Sequence, residues 1–326
     1  MTSYTFLSLC FLTTYYSFVL CDYYKNDSPL LNSPFNNEQI KNQLDHIHIT
    51  YENIPTITRE IFKKLSLVKK LEIEFCNVKS VEKNSFWGLE NLRKLSLKHN
   101  LLTEIQNNTF SGTNIEELDL SDNQIERIES TAFGHMHNLR SLKLKNNRIQ
   151  TYQNTWFKLT PNLCSLNLQN NFITSLPARI LDRRGIWSCS IDLILSYNRI
   201  EEVDEEAFSN YKFNKLYLDH NNINVLPSKV FSNSIQIMDL KLNNNRIVCT
   251  LPEMKTVQRY DVSANLWDEK CLLEFEDKKV TTSTQEASTT ERVFRYPPGR
   301  DIFPPPFHSS MGRFRYRSRP PYYMRF

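Results

Sequence analysis

The side chains able to do chemistry come first. The 326-residue chain has seven histidines. In His46-Ile47-His48 the two-residue spacing puts both imidazoles on one face of an extended segment. Two imidazoles begin a metal site, but a closed one needs further ligands, and none follows at a suitable spacing. His135-Met136-His137 repeats the pattern in a stretch that reads as a loop. The sequence contains no Gly-x-Ser-x-Gly elbow, no His-Glu-x-x-His run and no phosphate loop. No catalysis, cofactor or metal is expected. The chemistry that remains is contact chemistry, in tyrosines, charged residues and isolated histidines that recur at a fixed period.

That period sets the elements. Segments starting at residues 44, 68, 92, 115, 139, 163, 190, 213, 237 and 257 align with one another, mostly 23 or 24 residues apart. Leu92-Arg-Lys-Leu95-Ser-Leu97-Lys-His-Asn100-Leu-Leu102 is a representative copy. Leu95 and Leu97 alternate with a polar residue, so both face one side of a short strand. Asn100 follows where the chain must turn, and its amide can satisfy backbone groups of neighbouring coils. Cys76 fills this slot in the second copy as a small weak donor. Glu52 fits it poorly in the first, which predicts a frayed first coil. Phe62, Phe86, Phe110, Phe133, Phe157, Phe208 and Phe231 recur at a second point of the repeat, with Ile180 in the remaining copy. They should stack as a buried column on the outer side, each contributing about 1.5–3 kcal/mol.

The motif L-x-x-L-x-L-x-x-N/C-x-L resembles the leucine-rich-repeat family over about two thirds of the chain. The resemblance implies an α/β repeat solenoid, a horseshoe with a parallel β-sheet on its concave face and loops or short helical turns on its convex face. It also implies protein recognition, the work of receptors, adhesion proteins, matrix proteins and immune factors that share the repeat. Insect leucine-rich immune proteins and Toll-type ectodomains are similar, although no heptads follow Cys271 here. Asn265-Leu-Trp267-Asp-Glu-Lys-Cys271 resembles a reduced version of the family's C-terminal flank. That likeness implies a Cys249–Cys271 bridge closing the open end of the core. Cys164 begins one strand, and Cys189 ends the single inserted loop before the next. A Cys164–Cys189 bridge would pin that loop, and Cys76 would stay buried and unpaired.

Residues 1–21 read as a secretory signal peptide: the run is apolar, too short and too interrupted to span a membrane, and is followed by polar Asp22. Residues 22–43 form an N-terminal flank without the usual cysteine pairs, and 44–271 the solenoid of about ten repeats. No later stretch is long and apolar enough for a transmembrane helix. Asn26 and Asn107 begin glycosylation sequons. Residues 272–326 pass from a Ser/Thr-rich linker to a Pro/Arg/Tyr-rich tail. Val293 to Phe326 holds seven Arg and one Asp, a charge of +6 within a chain whose total is only +4. A total so small does not call for nucleic acid, whereas the basic tail suits acidic glycans.

The inner sheet face is the expected binding surface for a protein ligand or receptor. Its candidates are Phe75, Lys98, Asp119, Lys143, Ile194, Tyr197, Tyr217 and His220. Lys98, Asp119 and Lys143 are expected to alternate in sign across neighbouring strands, as cross-strand pairs do. Ile194, Tyr197, Tyr217 and His220 are expected to form an exposed aromatic cluster on adjacent strands, and tyrosine-rich patches are favoured contact anchors. A soluble recognition protein and a matrix protein held by its basic tail both fit these features.

Overall fold

The structure, a computed structural model, describes residues 17–20, 45–62, 65, 67–181, 189–248 and 251–266. Its strands are β1 (Ser17–Leu20), β2 (His46–Thr50), β3 (Thr56–Ile57), β4 (Lys70–Glu74), β5 (Ser80–Val81), β6 (Lys94–Ser96), β7 (Glu104–Ile105), β8 (Glu117–Asp119), β9 (Arg127–Ile128), β10 (Ser141–Lys143), β11 (Ser165–Asn167), β12 (Ser175–Leu176), β13 (Ile191–Ile194), β14 (Glu202–Val203), β15 (Lys212–Tyr217), β16 (Gln236–Lys241) and β17 (Val257–Asp261). Among the described residues, one α-helical turn, α1 (Arg59–Phe62), and one 3-10 turn, Asn154–Phe157, interrupt them.

Eleven strands form one parallel sheet in the order β1-β2-β4-β6-β8-β10-β11-β13-β15-β16-β17, one strand per coil from β2 onward. Alternation makes each coil two-sided: in β2 and β4 every second residue is buried. Leu71, Leu95, Leu118, Leu142, Leu166, Leu193, Leu216 and Leu240 stack level across the sheet as its buried row. The outer side is mostly turns. Three two-residue parallel pairs lie away from the main sheet, β3 with β5, β7 with β9 and β12 with β14.

The asparagine ladder accounts for the turn after each strand. Asn147 Oδ1 accepts from Ile125 N at 2.9 Å, and its amide nitrogen donates to Leu120 O of the coil before and Leu144 O of its own. Asn100, Asn123, Asn171, Asn198, Asn221, Asn245 and Asn265 repeat the pattern. Cys76 keeps part of it, its thiol facing Glu74 O at 3.1 Å and Ile49 O at 3.5 Å. Burial raises this thiol to about 11. The first coil is not frayed: β2 pairs with β4 over five residues, because Ile47, Ile49 and Ile54 are fully core even though Glu52 replaces the asparagine.

Phe62, Phe86, Phe110, Phe133 and Phe157 stack with centroids 5.9–6.4 Å apart, and Phe208 with Phe231 at 5.8 Å. Ile180 is buried between the two runs, and its carbonyl accepts a hydrogen bond from Tyr152 Oη. The inserted loop ends at a Cys164–Cys189 disulfide with Cα atoms 5.9 Å apart. Directly after it the register slips by one residue, so that Ile191 faces Phe213 but Asp192 faces Lys215. Asn214 is the extra residue, and its amide donates to Asp192 at 2.8 Å. A bulge of this kind re-aims the side chains that follow it.

Candidate functional site

The residue just before each ladder position adopts a left-handed backbone. Tyr51, Phe75, His99, Asp122, Asn146, Asn170, Tyr197, His220 and Asn244 all have φ between 55° and 61°. Asn, Asp and His enter this region readily, whereas bulky rings do so at a cost of order 1 kcal/mol or more. The turn lines these side chains up as a rim along one edge of the inner face. Phe75 stacks between Tyr51 at 5.3 Å and His99 at 4.4 Å. Asp122, Asn146 and Asn170 continue the row through amide bonds of 2.6 and 2.9 Å. Tyr197 and His220 then stack at 4.1 Å.

The expected aromatic cluster is assembled, with a correction. Ile194 and Tyr217 are level on β13 and β15. Tyr197 and His220 are level too, but they stand on the left-handed turns beyond those strands, because their φ values break the extended run. All four line one open concavity of about 460 Å³. Tyr197 is 48% exposed, while Ile194 and Tyr217 are half-buried. At its floor Asp219 accepts from Ser196 Oγ at 2.6 Å and lies 2.9 Å from His220 Nδ1. That contact makes His220 Nδ1 the donor to the Asp219 carboxylate. Tyr217 is more than an exposed ring. Its hydroxyl donates to Asp239 at 2.8 Å, and Lys241 Nζ sits 4.2 Å from its centroid. Burial, then the Asp239 hydrogen bond, push the phenol to about 12. Burial would raise Asp239 in turn, but hydrogen bonds from Arg259 and Tyr217 hold it below the usual carboxylate value. Arg259 grips Asp239 through both Nε and an Nη nitrogen at 3.0 Å.

The charged strands are arranged differently from expectation. Asp119 is level with Ser96 and Lys143, not with Lys98. Lys143 Nζ lies 3.2 Å from Asp119, and Lys98 pairs further along with Asp122 at 3.8 Å. Lys98 sits two residues past the level of Asp119, which spacing along a single strand does not reveal. Lys94–Glu117 at 2.8 Å and Arg93–Glu116 at 3.7 Å complete an internally neutralised strip. At the first coils His46 Nε2 meets Glu72 at 2.7 Å, and His48 Nε2 is buried without a partner. Burial favours a raised Glu72, but hydrogen bonds from Lys70 and His46 bring it below its usual value. No three His, Cys, Asp or Glu side chains converge as metal ligands among the described residues. Asn107 lies on the outer side, its carbonyl accepting from Thr131 N and Oγ1 at 2.9 and 2.8 Å. Asn26, Cys249, Cys271 and the basic tail lie outside the described residues.

A sequence-family model for the BspA-type leucine-rich-repeat region matches residues 38–182 in six copies, and a second leucine-rich-repeat model matches 192–247. This chain is a leucine-rich-repeat protein. It is 32% identical over 84 residues to Tsukushi of Gallus gallus, 26% of this chain and 22% of that one. To fibromodulin of Oryctolagus cuniculus it is 27% identical over 149 residues, 46% of this chain and 80% of that protein. It thus spans only about a fifth of Tsukushi but most of fibromodulin. Among solved structures, the TLR13–ssRNA13 complex aligns with TM-score 0.60 and 24% identity over 69% of this chain and 33% of that one. The mouse RP105/MD-1 complex aligns with TM-score 0.60 and 19% identity over 73% and 41%. FLRT2, in an octameric complex with Latrophilin 3 and Unc5D, aligns with TM-score 0.57 and 22% identity over 69% and 72%. At these identities the leucine-rich-repeat protein shares their fold. Among its described residues no helix is long and apolar enough to cross a membrane.

Sequence reasoning missed the rim and the Tyr217–Asp239–Arg259 network. The rim had a signal: the residues before the ladder positions run Tyr, Phe, His, Asp, Asn, Asn, Tyr, His, Asn. The network had none, since it crosses three coils beyond a bulge.

Proposed function

We propose that this protein binds a protein partner outside the cell through the C-terminal half of its inner face, and that its work is recognition rather than catalysis. One observation carries the reading. Tyr197, exposed and in a strained turn conformation, is held stacked on the half-buried His220 at the edge of a concavity floored by polar groups. Aromatic anchors beside a desolvated floor are the common form of an interaction hot spot. The relatives support this class of role: fibromodulin and Tsukushi are extracellular, and the RP105 and FLRT2 structures are complexes with protein partners. A receptor-like place at the cell surface and an innate-immune role fall within the same class.

Immobilised protein and its Tyr197→Ala/His220→Ala variant, exposed to the same extracellular fluid, test the reading. A protein retained by the native chain and lost by the folded variant is expected. Equal retention of every captured protein by both contradicts it. Export rests on the apolar segment 1–21. The same segment contributes β1, paired along the outer edge of β2, and cleavage after Cys21 would remove that strand. N-terminal sequencing of material from the medium should therefore begin near Asp22. Met1 retained on a cell-associated form would overturn the export reading.

The similarity to fibromodulin, an extracellular matrix protein, favours a second reading in which the basic tail anchors the protein to acidic glycans. Deleting Val293–Phe326 should then abolish a salt-sensitive retention on matrix. Under the first reading the same deletion leaves partner binding in place.

A further inference from the structure

We propose that the ring column of Tyr197 and His220 has a vacant rung over Asn170, and that this rung takes a carboxylate-bearing sugar, a hexuronate residue of an extracellular polysaccharide. The proposal rests on the reading that the inner face recognises partners outside the cell, and adds a second class of ligand beside the protein. His220 covers one face of Tyr197 at 4.1 Å, so the open face looks back toward the preceding coil. That coil places Asn170 at the equivalent turn position, with φ of 56° against 58° for Tyr197. An asparagine side chain ends well short of a tyrosine ring. Tyr197 therefore stands as a wall above Asn170, and it is 48% exposed. Coils lie ~4.8 Å apart, so a ring stacked on that wall comes to rest directly over Asn170.

The surroundings of the rung select the ligand. Asn170 gives one N–H to Asn146 Oδ1 at 2.9 Å, and Asn146 gives one to Asp122 at 2.6 Å. Each amide nitrogen keeps a second N–H, and Asn170 Oδ1 meets no donor among the described residues. The half-buried Gln169 beside it has a side-chain amide that is equally unengaged there. One coil further back stands Lys145, half-buried and without an ion pair among the described residues. Lys98 and Lys143 are by contrast spent on Asp122 and Asp119. The inner-face residues on the coils of β10 and β11, Lys143, Lys145, Asn167 and Gln169 among them, include no carboxylate.

A cationic ligand would meet Lys145 and no carboxylate. A purely apolar side chain would bury the Gln169 and Asn170 amides unpaired, which is costly. A small inorganic anion would answer Lys145 and leave the Tyr197 face bare. A pyranose with a carboxylate satisfies all of them. Its polarised C–H face stacks on the electron-rich face of the tyrosine ring. Its hydroxyls both donate and accept, as the two amides require. A carboxylate on its far edge points toward Lys145 Nζ and the second N–H of Asn146, a charge-assisted pairing.

The test follows NMR shifts as the full-length protein is titrated with methyl β-glucuronide and with methyl β-glucoside. The two sugars differ only in a carboxylate against a hydroxymethyl group. The glucuronide should bind about three- to fivefold more tightly. Lys145→Gln should bring the glucuronide down to the level of the glucoside and leave the glucoside unchanged. Tyr197→Leu should weaken both sugars by a similar factor, about threefold or more. Equal binding of the two sugars by the native chain, or no binding of either, overturns the site. Neither result touches the protein-binding reading, which retention of the captured partner decides. A preference for glucuronide that survives Lys145→Gln overturns the site as well, and its loss on deleting Val293–Phe326 would assign it to the basic tail. The sugar comparison alters only the ligand, so it decides the matter even if a variant folds poorly.

Discussion

Strands β6, β8 and β10 and strands β13, β15, β16 and β17 belong to one sheet and stand on the same asparagine ladder, yet they present contrasting inner faces. In the central strip the charge changes sign from coil to coil, so three lysines find carboxylate partners on the neighbouring coil. Lys94–Glu117, Lys143–Asp119 and Lys98–Asp122 are all satisfied within the sheet. Toward the C-terminal end the rings of Tyr197 and His220 stand open, and Asn243 Oδ1 has no partner at all. Charge density is thus a poor guide to where a solenoid binds. A group already paired inside the sheet has little to offer a visitor, whereas an unmatched acceptor beside an exposed ring gains from one.

The largest expected effect tests whether the two regions share a scaffold. Phe133→Ala under the central strip and Phe231→Ala under the C-terminal one should each cost about 3–5 kcal/mol by denaturant unfolding. Both rings are fully buried in the outer column. A much smaller cost at either position would mean the core differs beneath the two faces.

Tyr217→Phe comes next. It leaves the half-buried Asp239 with one donor fewer, and should cost about 1–2 kcal/mol at neutral pH. The same phenol titrates at about 12 in the folded protein. Its contribution is therefore complete below the ordinary tyrosine value of 10 and is lost as pH rises from 10 toward 12. Stability measured against pH should fall less over that interval in the variant. Asp239 acts in the opposite sense: held below 3.8, it contributes above that pH, and the contribution is lost as acid protonates the folded carboxyl.

Lys143→Ala should have the smallest effect, below about 1 kcal/mol and further reduced by salt, because its pair with Asp119 is partly solvated. A loss well above that would make the central strip a stronger element than its geometry implies.

The sequence made the scaffold legible because its causes are local. A three-residue strand centred on a leucine, a second leucine two positions on, an asparagine three positions beyond that and a phenylalanine at a fixed offset leave one way to stack, and the ladder at Asn147 and the ring column through Phe133 follow. The Cys164–Cys189 pair was readable too, since both cysteines sit on neighbouring coils. The site was only half legible. That Tyr217 stands level with Ile194 follows from repeat alignment, but that Tyr197 leaves the strand depends on a backbone angle that no spacing records. The partner of Lys98 could not be read, because cross-strand pairing depends on lateral register and a two-residue offset changes it. The Tyr217–Asp239–Arg259 network lies past the extra residue Asn214, where the repeat period itself slips.

The most direct test sets the two regions against each other in one binding experiment. The captured partner's affinity is measured for the native chain, for Tyr197→Ala and for Lys143→Ala, each first shown to be folded. Tyr197→Ala should lose about 2 kcal/mol, roughly thirtyfold, with Lys143→Ala within about threefold of native. A thirtyfold loss in Lys143→Ala with Tyr197→Ala unchanged would place the contact on the charged strands and contradict the account.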